Sequence, residues 1–377
     1  MNVLRIGLFT ECYRPIQNGI VASIDALASA LRALGHEVIC VTPRVPGYRE
    51  RADGVLRVHS LPLPTRTKYR LTFPLFQNDR ILRALKGTSI VHTHSPFVTG
   101  WMGARYAKRM RVPLVFTYHT QLEEYAHYVP FERGATRKAA TRLTRAYANG
   151  ADVVIVPTPA MEERLRDLGV RTRIAVVPSG IDVALFAGGR RSDDLRARLG
   201  VAPGVKMVLS VGRLAREKNI ELALEAFARL NDRAAQLVVI GDGPHRAALE
   251  RVAARLGVAE RTTFAREFAR EALPDAYKSA DAFVFTSASE TQGLVLVEAL
   301  AANLPVVAVD TPQTRDVLAG AGTLVAPEAG ALAAGLRRSL AANGSRAGTL
   351  GVAERYDGSA LGDRVLEVYA SLLGAVN

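Results

Sequence analysis

Two glutamates in one short stretch are the residues of this sequence whose types and spacing best suit chemistry. Glu290 and Glu298 stand eight positions apart in SETQGLVLVEALAANLPVVAVD (residues 289–310), on either side of Gly293. Glu290 follows DAFVFT, which predicts a buried strand, and residues 294–302 predict a helix. Backbone N–H groups at such a helix start bind anions, because they have no partner within the helix. Carboxylates beside an anion site suit a molecule with both hydroxyls and phosphates, such as a nucleotide sugar.

A second charged group follows another predicted strand. The loop VGRLAREKN (residues 211–219) carries Arg213 and Lys218 before a predicted helix, where two cations can bind a diphosphate through charge-assisted hydrogen bonds. Read alone, this loop could also be a solvated basic surface. The turn GDGP (residues 241–244) follows a further strand of the same predicted domain, which favours a shared binding site. No complete GxxxxGK[ST] or GxGxxG motif is present, so the usual NTPase and dinucleotide sites lose support.

The first half of the chain offers a glycine and several histidines. NGI follows the first predicted strand, where the backbone at Gly19 could approach a phosphate or a sugar, although Asn-Gly is also an ordinary turn. His92 and His94 lie in VHTHSPF, and their spacing fits no zinc pattern, so we expect no metal site. His119 ends a strand in TYHT, and we predict that it holds or polarises a substrate. For His92 and His127 we predict structural hydrogen bonds.

These motifs lie on a regular alternation of strands and helices, which predicts a doubly wound, mostly parallel α/β sheet. The alternation lapses at AGGRRSDD, where Gly188 and Gly189 indicate a linker, and then restarts. The chain of 377 residues exceeds one comfortable core. We therefore predict two Rossmann-like domains, residues 1–187 and 188–357, with ligands in a cleft between them at the carboxyl ends of the strands. A final helix at about residues 361–373 should cross back, so that residues 358–377 join the first domain.

The positive charge of the chain is concentrated in its first half. Residues 1–190 contain 27 Lys and Arg against 14 Asp and Glu, whereas residues 191–377 contain 22 of each. Such a one-sided field suits membrane phospholipid, nucleic acid or a phosphorylated substrate, although an arginine-rich default surface would look the same. No apolar run is long enough to predict a transmembrane helix. Cys12 and Cys40 are expected to be free thiols in a reducing cytosol.

Two basic stretches could account for this charge. RTKYRLTFPLF (residues 66–76) mixes cations with aromatic and aliphatic residues, and ATRKAATRLTRAYA (residues 135–148) places cations on one helical face. The basic residues concerned are Arg66, Lys68, Arg70, Lys138, Arg142 and Arg145. Cations beside apolar residues favour an anionic membrane surface, and a solvated basic helix is the alternative. No nucleic-acid-binding module is recognisable, so nucleic acid is not expected as a partner.

Together the motifs resemble those of the retaining glycosyltransferases of family 4, which have the GT-B fold. The resemblance runs nearly end to end through NGI, HTHSPF, TYHT, VVPSGID, VGRLAREKN, GDGP and SETQGLVLVE. Glu290 and Glu298 match the family's E-x7-E element, although many members carry Phe where Gln292 stands. The segments ETQG and TYHTQLEEYAHYVP are most similar to bacterial diacylglycerol glucosyltransferases and related glycolipid synthases.

The resemblance implies roles for individual residues. Arg213 and Lys218 would neutralise the donor's phosphates in place of a metal ion. Glu298 would accept hydrogen bonds from the ribose, Glu290 from the transferred sugar, and His119 would contact that sugar from the first domain. The remaining implied donor contacts are Gly19, Gly241, Asp242, Gly243, Thr291, Gln292, Gly293 and Leu294. The family needs no protein nucleophile, and no cofactor is implied beyond the donor.

We therefore expect a hexosyltransferase on the inner face of the cell membrane. It would move glucose from UDP-glucose, with retention, to a membrane lipid such as diacylglycerol. GDP- and ADP-sugars remain open as donors, and inositol phosphate or a polyprenyl-linked surface polysaccharide as acceptors. A non-catalytic protein that binds nucleotides or nucleic acid is the alternative from another class.

Overall fold

The chain folds into two compact units, seen in a computed structural model that describes residues 3–16, 18–62, 70–73, 78–124, 132–341 and 349–374. The first unit comprises Met1–Gly180 and Gly358–Asn377, and the second comprises Ile181–Asp357. None of the described helices is long and apolar enough to cross a membrane. Cys12 and Cys40 are both buried.

The first unit is built around a seven-stranded parallel sheet. In chain order its elements are β1 (Arg5–Phe9), α1 (Gly19–Ala33), β2 (Glu37–Pro43), β3 (Val55–Val58), β4 (Ser60–Pro62), β5 (Arg70–Thr72), α2 (Asn78–Ala84), β6 (Ile90–Thr93), α3 (Val98–Met110), β7 (Leu114–Thr117), α4 (Arg133–Ala148), β8 (Val153–Val156), α5 (Pro159–Asp167) and β9 (Arg173–Val176). The sheet order is β3-β2-β1-β6-β7-β8-β9. Strands such as β8, with sequence VVIV, are wholly buried because helices cover both faces of the sheet.

The sequence of residues 55–61, VLRVHSL, predicts one strand, but a small hairpin interrupts it. β3 ends at Val58, and β4 instead pairs antiparallel with β5. The Phe73 N–H donates to the His59 carbonyl at 2.7 Å, where the chain leaves the large sheet. The single-strand prediction was wrong because an extended pattern does not show which partner each half of the strand will find.

The second unit repeats the same architecture with six parallel strands. Its elements are α6 (Val183–Ala187), α7 (Asp193–Arg198), β10 (Lys206–Val211), α8 (Ile220–Leu230), β11 (Ala235–Ile240), α9 (Arg246–Arg255), β12 (Thr262–Ala265), α10 (Leu273–Ser279), β13 (Ala282–Phe285), α11 (Leu294–Ala301), β14 (Val306–Val309), α12 (Pro312–Leu318), β15 (Thr323–Val325), α13 (Ala329–Ala341) and α14 (Thr349–Glu354). The sheet order is β12-β11-β10-β13-β14-β15. The order reverses direction between β10 and β13, as it does between β1 and β6 in the first unit. Such reversal points are where doubly wound sheets bind ligands.

The last helix, α15 (Gly358–Leu373), belongs to the first unit. It packs against α1, and Leu361, Val365 and Tyr369 enter the apolar core beneath that helix. The predicted crossing back of the final helix is therefore confirmed, as is the doubly wound α/β architecture of both halves.

The stretch predicted as a linker is tied to the second unit. The Arg190 N–H donates to Asp275 at 2.8 Å, and the Ser192 N–H donates to Ser279 Oγ at 3.0 Å. A Cβ on Gly189 would lie 2.6 Å from the backbone of Pro274, so only glycine fits there. Helix α6, which the sequence analysis grouped with the first domain, packs against α10 and α11 because Phe186 joins their core.

Candidate active site

The stretch with the two glutamates follows β13, beside the reversal of strand order in the second unit. Helix α11 starts at Leu294, as predicted, and Gly293 before it has a left-handed φ of 83°. A Cβ on Gly293 would also press on Leu296 and Phe285 at 3.2 and 3.3 Å. Gly293 is the residue before the helix and has no side chain to cap the first N–H groups, so these groups can receive an anion. Thr291 is half-buried and Gln292 buried in the loop just before it.

Lys218 and Glu290 form a direct ion pair in this site. Their side chains are 21% and 22% exposed, so the pair is accessible to a ligand. Lys218 ends a 3-10 turn between β10 and α8, and Thr286 Oγ1 donates to its carbonyl at 3.0 Å. Ser287 Oγ donates to the Glu217 carbonyl at 3.1 Å. The structure therefore brings two predicted residues together through hydroxyl groups that the sequence analysis missed, although the Ser/Thr run after β13 was a usable signal.

Arg213 lies on the same loop, half-buried, two residues after β10. Its loop is held by the predicted GDGP turn: the Leu214 N–H donates to the Asp242 carbonyl at 3.0 Å. A Cβ on Gly243 would lie 2.3 Å from the Leu214 carbonyl oxygen, and one on Gly241 would lie 2.0 Å from that of Gly212. These glycines allow two backbones to touch, and the contact positions the loop that carries Arg213.

Glu298 lies on the buried side of α11, where its carboxylate is 6% exposed. Its Oε2 accepts a hydrogen bond from Tyr277 at 2.8 Å, and its Oε1 accepts one from Arg270 Nη1 at 3.3 Å. Burial raises the pKa of Glu298, against the opposing effects of Arg270 and Tyr277. Each oxygen keeps a second lone pair that a ribose hydroxyl could use. The sequence carries no signal for Tyr277 and Arg270, because only the packing of α10 on α11 brings them here.

In the first unit, the carboxyl ends of β6 and β7 carry three histidines. His92 contacts Tyr369 Oη at 2.7 Å through Nδ1 and Thr117 Oγ1 at 2.6 Å through Nε2, which confirms its predicted structural role. His94 Nδ1 lies 2.9 Å from His119 Nε2. Burial lowers the pKa of His92 to about 3 and that of His119 to about 4, so both rings are neutral near pH 7. His127 lies outside the described residues.

Gly19 is the first residue of α1, whose start is capped by Asn18. The Asn18 Oδ1 atom accepts a hydrogen bond from the Val21 N–H at 2.9 Å. The NGI segment is therefore a helix N-terminus, not a free turn. The partial positive charge of such an end is compatible with the predicted approach of a phosphate.

The predicted basic surface of the first unit is partly described. Lys138, Arg142 and Arg145 are exposed on α4 at positions that share one face. Arg70 instead closes the β4-β5 hairpin, since its Nε donates to Ser60 Oγ at 2.8 Å. Arg66 and Lys68 lie outside the described residues. Exposed apolar side chains flank the hairpin and the start of α3, namely Leu61, Leu71, Phe73, Phe97 and Trp101.

Two family models match the chain, one after the other. The model described as Glycosyltransferase Family 4 matches residues 17–185, and the model described as Glycosyl transferases group 1 matches residues 191–348.

Individual proteins of known activity are also similar to this chain. An alpha-monoglucosyldiacylglycerol synthase from Streptococcus pneumoniae is 32% identical over 322 residues, covering 84% of this chain and 73% of that protein. A GDP-mannose-dependent alpha-mannosyltransferase from Mycobacterium tuberculosis is 35% identical over 326 residues, covering 84% and 81%. Among solved structures, a sucrose-phosphate synthase from Thermosynechococcus elongatus superposes with a TM-score of 0.79 at 25% identity, covering 99% of this chain and 100% of that chain.

Proposed function

This chain belongs to glycosyltransferase family 4 and has the GT-B fold, and we propose that it transfers glucose from UDP-glucose to a membrane lipid such as diacylglycerol. Family membership makes it a glycosyltransferase; the sugar, the acceptor, the stereochemistry and the location are the proposal. The observation that carries the donor site is the Lys218–Glu290 ion pair beside the uncapped start of α11.

The paired charges of this site match the two ends of a nucleotide sugar. The Lys218 ammonium and the Arg213 guanidinium bind the diphosphate, with the N–H groups of Gly293 and Leu294. Glu290, released from Lys218 by the incoming phosphates, accepts hydrogen bonds from the sugar hydroxyls. Glu298 accepts from the ribose, and His119 of the first unit contacts the transferred sugar.

The reaction needs stabilisation of the departing phosphate more than a base. The bond from the anomeric carbon to the diphosphate oxygen breaks, and a bond to the acceptor's hydroxyl oxygen forms on the same face. The acceptor's proton passes to the departing phosphate oxygen, so configuration is retained without a protein nucleophile. Lys218 and Arg213 balance the developing negative charge, the task that a metal ion performs in other transferases.

The proposed acceptor follows from two features of the first unit, the basic face of α4 and the exposed apolar residues around the hairpin and the start of α3. Lys138, Arg142 and Arg145 each favour an anionic leaflet by about 1 kcal/mol when close to it. The apolar side chains, Phe73 and Trp101 among them, suit the interfacial layer of a bilayer. We place the enzyme on the inner, cytoplasmic face of the membrane. The glycolipid named for the pneumococcal relative supports the same acceptor class.

A matrix of donors and acceptors tests the function. UDP-glucose, GDP-mannose and ADP-glucose are each incubated with diacylglycerol in anionic vesicles and with soluble inositol phosphate, and the product anomer is read by NMR. We expect α-glucosyldiacylglycerol from UDP-glucose. A preference for GDP-mannose would overturn the donor, and transfer only to inositol phosphate would overturn the acceptor. No turnover of any nucleotide sugar would leave the non-catalytic alternative.

Vesicle sedimentation tests the membrane surface separately. Replacing Lys138, Arg142 and Arg145 together by Glu should release the protein from anionic vesicles at low salt. The matched control replaces Arg251, Arg255 and Arg338, exposed cations of the second unit, by Glu with the same change of net charge. Equal release by both triple variants would mean that net charge, not this face, attracts the membrane.

A further inference from the structure

Three imidazole rings of the first unit form a stack that ends at His119. The ring centroids of His92 and His94 are 4.3 Å apart with planes 27° from parallel. Those of His94 and His119 are 5.2 Å apart with planes 24° from parallel. His94, the middle ring, is only 3% exposed. Its neighbours therefore fix its orientation, and its Nδ1 atom contacts His119.

The hydrogen bond within this stack requires one proton between two neutral rings. Burial lowers the pKa of both His94 and His119, so neither ring carries a positive charge near pH 7. A neutral imidazole has one N–H donor and one acceptor nitrogen. In the 2.9 Å contact, either His94 Nδ1 donates to His119 Nε2, or the reverse holds.

The far side of His94 decides between these two arrangements. Its Nε2 is buried and has no hydrogen-bond partner in the part of the chain that the structure describes. If His119 were the donor, His94 would carry its proton on that Nε2, and an unsatisfied buried N–H costs about 1–3 kcal/mol. If His94 donates from Nδ1, only an acceptor lone pair is left unused, and buried acceptors go unsatisfied more often than buried N–H groups.

We propose that His94 is a positioning residue that holds His119 in the tautomer protonated on Nδ1. His119 then meets its ligand with one N–H donor and no charge. Such a donor can bond a sugar hydroxyl or a phosphate oxygen. The identity of that ligand as the donor sugar rests on the proposed function, whereas the tautomer does not.

His92 keeps the middle ring in place. Hydroxyl groups of Thr117 and Tyr369 hold its two nitrogens, and its face covers that of His94. The tautomer of His119 is thus determined by a buried network that reaches from β6 and β7 to the last helix of the chain.

Nitrogen-15 NMR of the full-length protein, labelled at its seven histidines, reads the tautomer directly. His119 is assigned by the loss of its signals in His119→Gln. We expect wild-type His119 to be protonated on Nδ1, and the His94→Leu variant to shift it toward protonation on Nε2. Protonation of wild-type His119 on Nε2 would overturn the proposal, even if His94→Leu did not fold.

Kinetics test whether the tautomer matters to transfer. His94→Asn can donate an amide N–H from nearly the place of Nδ1 and should keep transfer near the wild-type rate. His94→Leu should lose about fivefold to tenfold in kcat/KM, the effect of one hydrogen bond. In the His119→Ala background, His94→Leu should cause no further loss.

The outcomes separate the two proposals. Additive losses in the double variant would show that His94 acts on its own and not through His119. Full transfer by His119→Ala, together with the expected tautomer in the wild type, would instead remove His119 from the proposed donor site and leave the tautomer assignment standing.

Discussion

The two sheets of this protein share a doubly wound strand order, with seven strands in the first unit and six in the second, but different side chains lie at their carboxyl ends. In the second unit, Lys218 and Glu290 form a partly exposed ion pair. In the first unit, the buried His92 and His94 and the half-buried His119 form a stack of neutral rings. A partly exposed pair can exchange one partner for a ligand at modest cost, whereas neutral rings held by their neighbours can only present a fixed donor or acceptor.

The two ends are also positioned by different means. In the second unit, backbone meets backbone where the glycines of GDGP contact the loop of Arg213. In the first unit, a side chain joins the segments instead. The Glu11 carboxylate, just after β1, accepts hydrogen bonds from the backbone N–H groups of Thr72 and Thr99 at 3.1 and 2.8 Å. The same fold thus supports one site that must accommodate charge and one that must hold geometry.

The largest expected effect lies in the charged pair. Lys218→Ala removes the cation that balances the departing phosphate, so kcat should fall about 10²–10³-fold, as when a main electrostatic contact is deleted. Arg216→Ala, an exposed cation in the same 3-10 turn, is the matched control and should stay near wild type. The initial rates of transfer of the two variants are compared, and circular dichroism shows that both are folded. Equal rates for both variants would contradict the assignment.

The next effect tests the backbone contact of the second unit. Gly243→Ala places a methyl group against the Leu214 carbonyl and should lower the free energy of unfolding by about 1–3 kcal/mol. In Gly330→Ala, in α13, the new Cβ would lie 3.5 Å from Arg229 Nη1, an ordinary contact, so this variant should be neutral or stabilise by about 0.5–1 kcal/mol. Urea denaturation measures both. If Gly243→Ala unfolds at the wild-type midpoint, the loops are not held by this contact.

Acid should weaken the first unit through its histidines. The pKa values of His92 and His119, about 3 and about 4, lie below the ordinary 6.5. Stability is therefore complete above pH 6.5, where folded and unfolded rings are both neutral. It falls as the pH drops toward 4, because the unfolded chain binds protons that the folded unit excludes.

The single tryptophan makes this loss measurable in the first unit alone. Trp101 lies on α3 with its ring 5.0 Å from that of Tyr147, so its fluorescence follows unfolding of that unit. The urea midpoint should fall between pH 7 and pH 5, and His92→Asn should show a shallower decline. A midpoint independent of pH would mean that the rings are not protected from protonation.

The smallest effect concerns the hydroxyl that joins α15 to the stack. Tyr369→Phe removes the partner of His92 Nδ1. It should lower the free energy of unfolding of the first unit, followed by Trp101 fluorescence, by about 1 kcal/mol. The control is Tyr356→Phe, which removes a tyrosine hydroxyl from the second unit, where it lies 3.4 Å from the carbonyls of Asp316 and Val317. An equal shift for both variants would argue against a specific role for the Tyr369 hydroxyl.

The sequence predicted well those elements that depend on neighbouring residues in the chain. Helix α11 was predicted to within one residue, because a compact apolar run ends near Asn303 and Pro305. What it missed depends on tertiary packing. Tyr277 and Arg270 contact Glu298 from elements 21 and 28 residues away, and Tyr369 contacts His92 from 277 residues away. No spacing rule covers such distances.

The return of α15 has a consequence for how the protein is made. All of residues 181–357 leave the ribosome before α15, the helix that completes the core of the first unit. The second unit can therefore finish folding while the first unit still lacks Leu361, Val365 and Tyr369. In a nascent chain stalled at Asp357, the second sheet would be complete, whereas the first unit would still lack the helix that covers the apolar face of α1. During synthesis, residues 1–180 are therefore translated before the second unit but complete their core after it, and they need chaperone protection for longer.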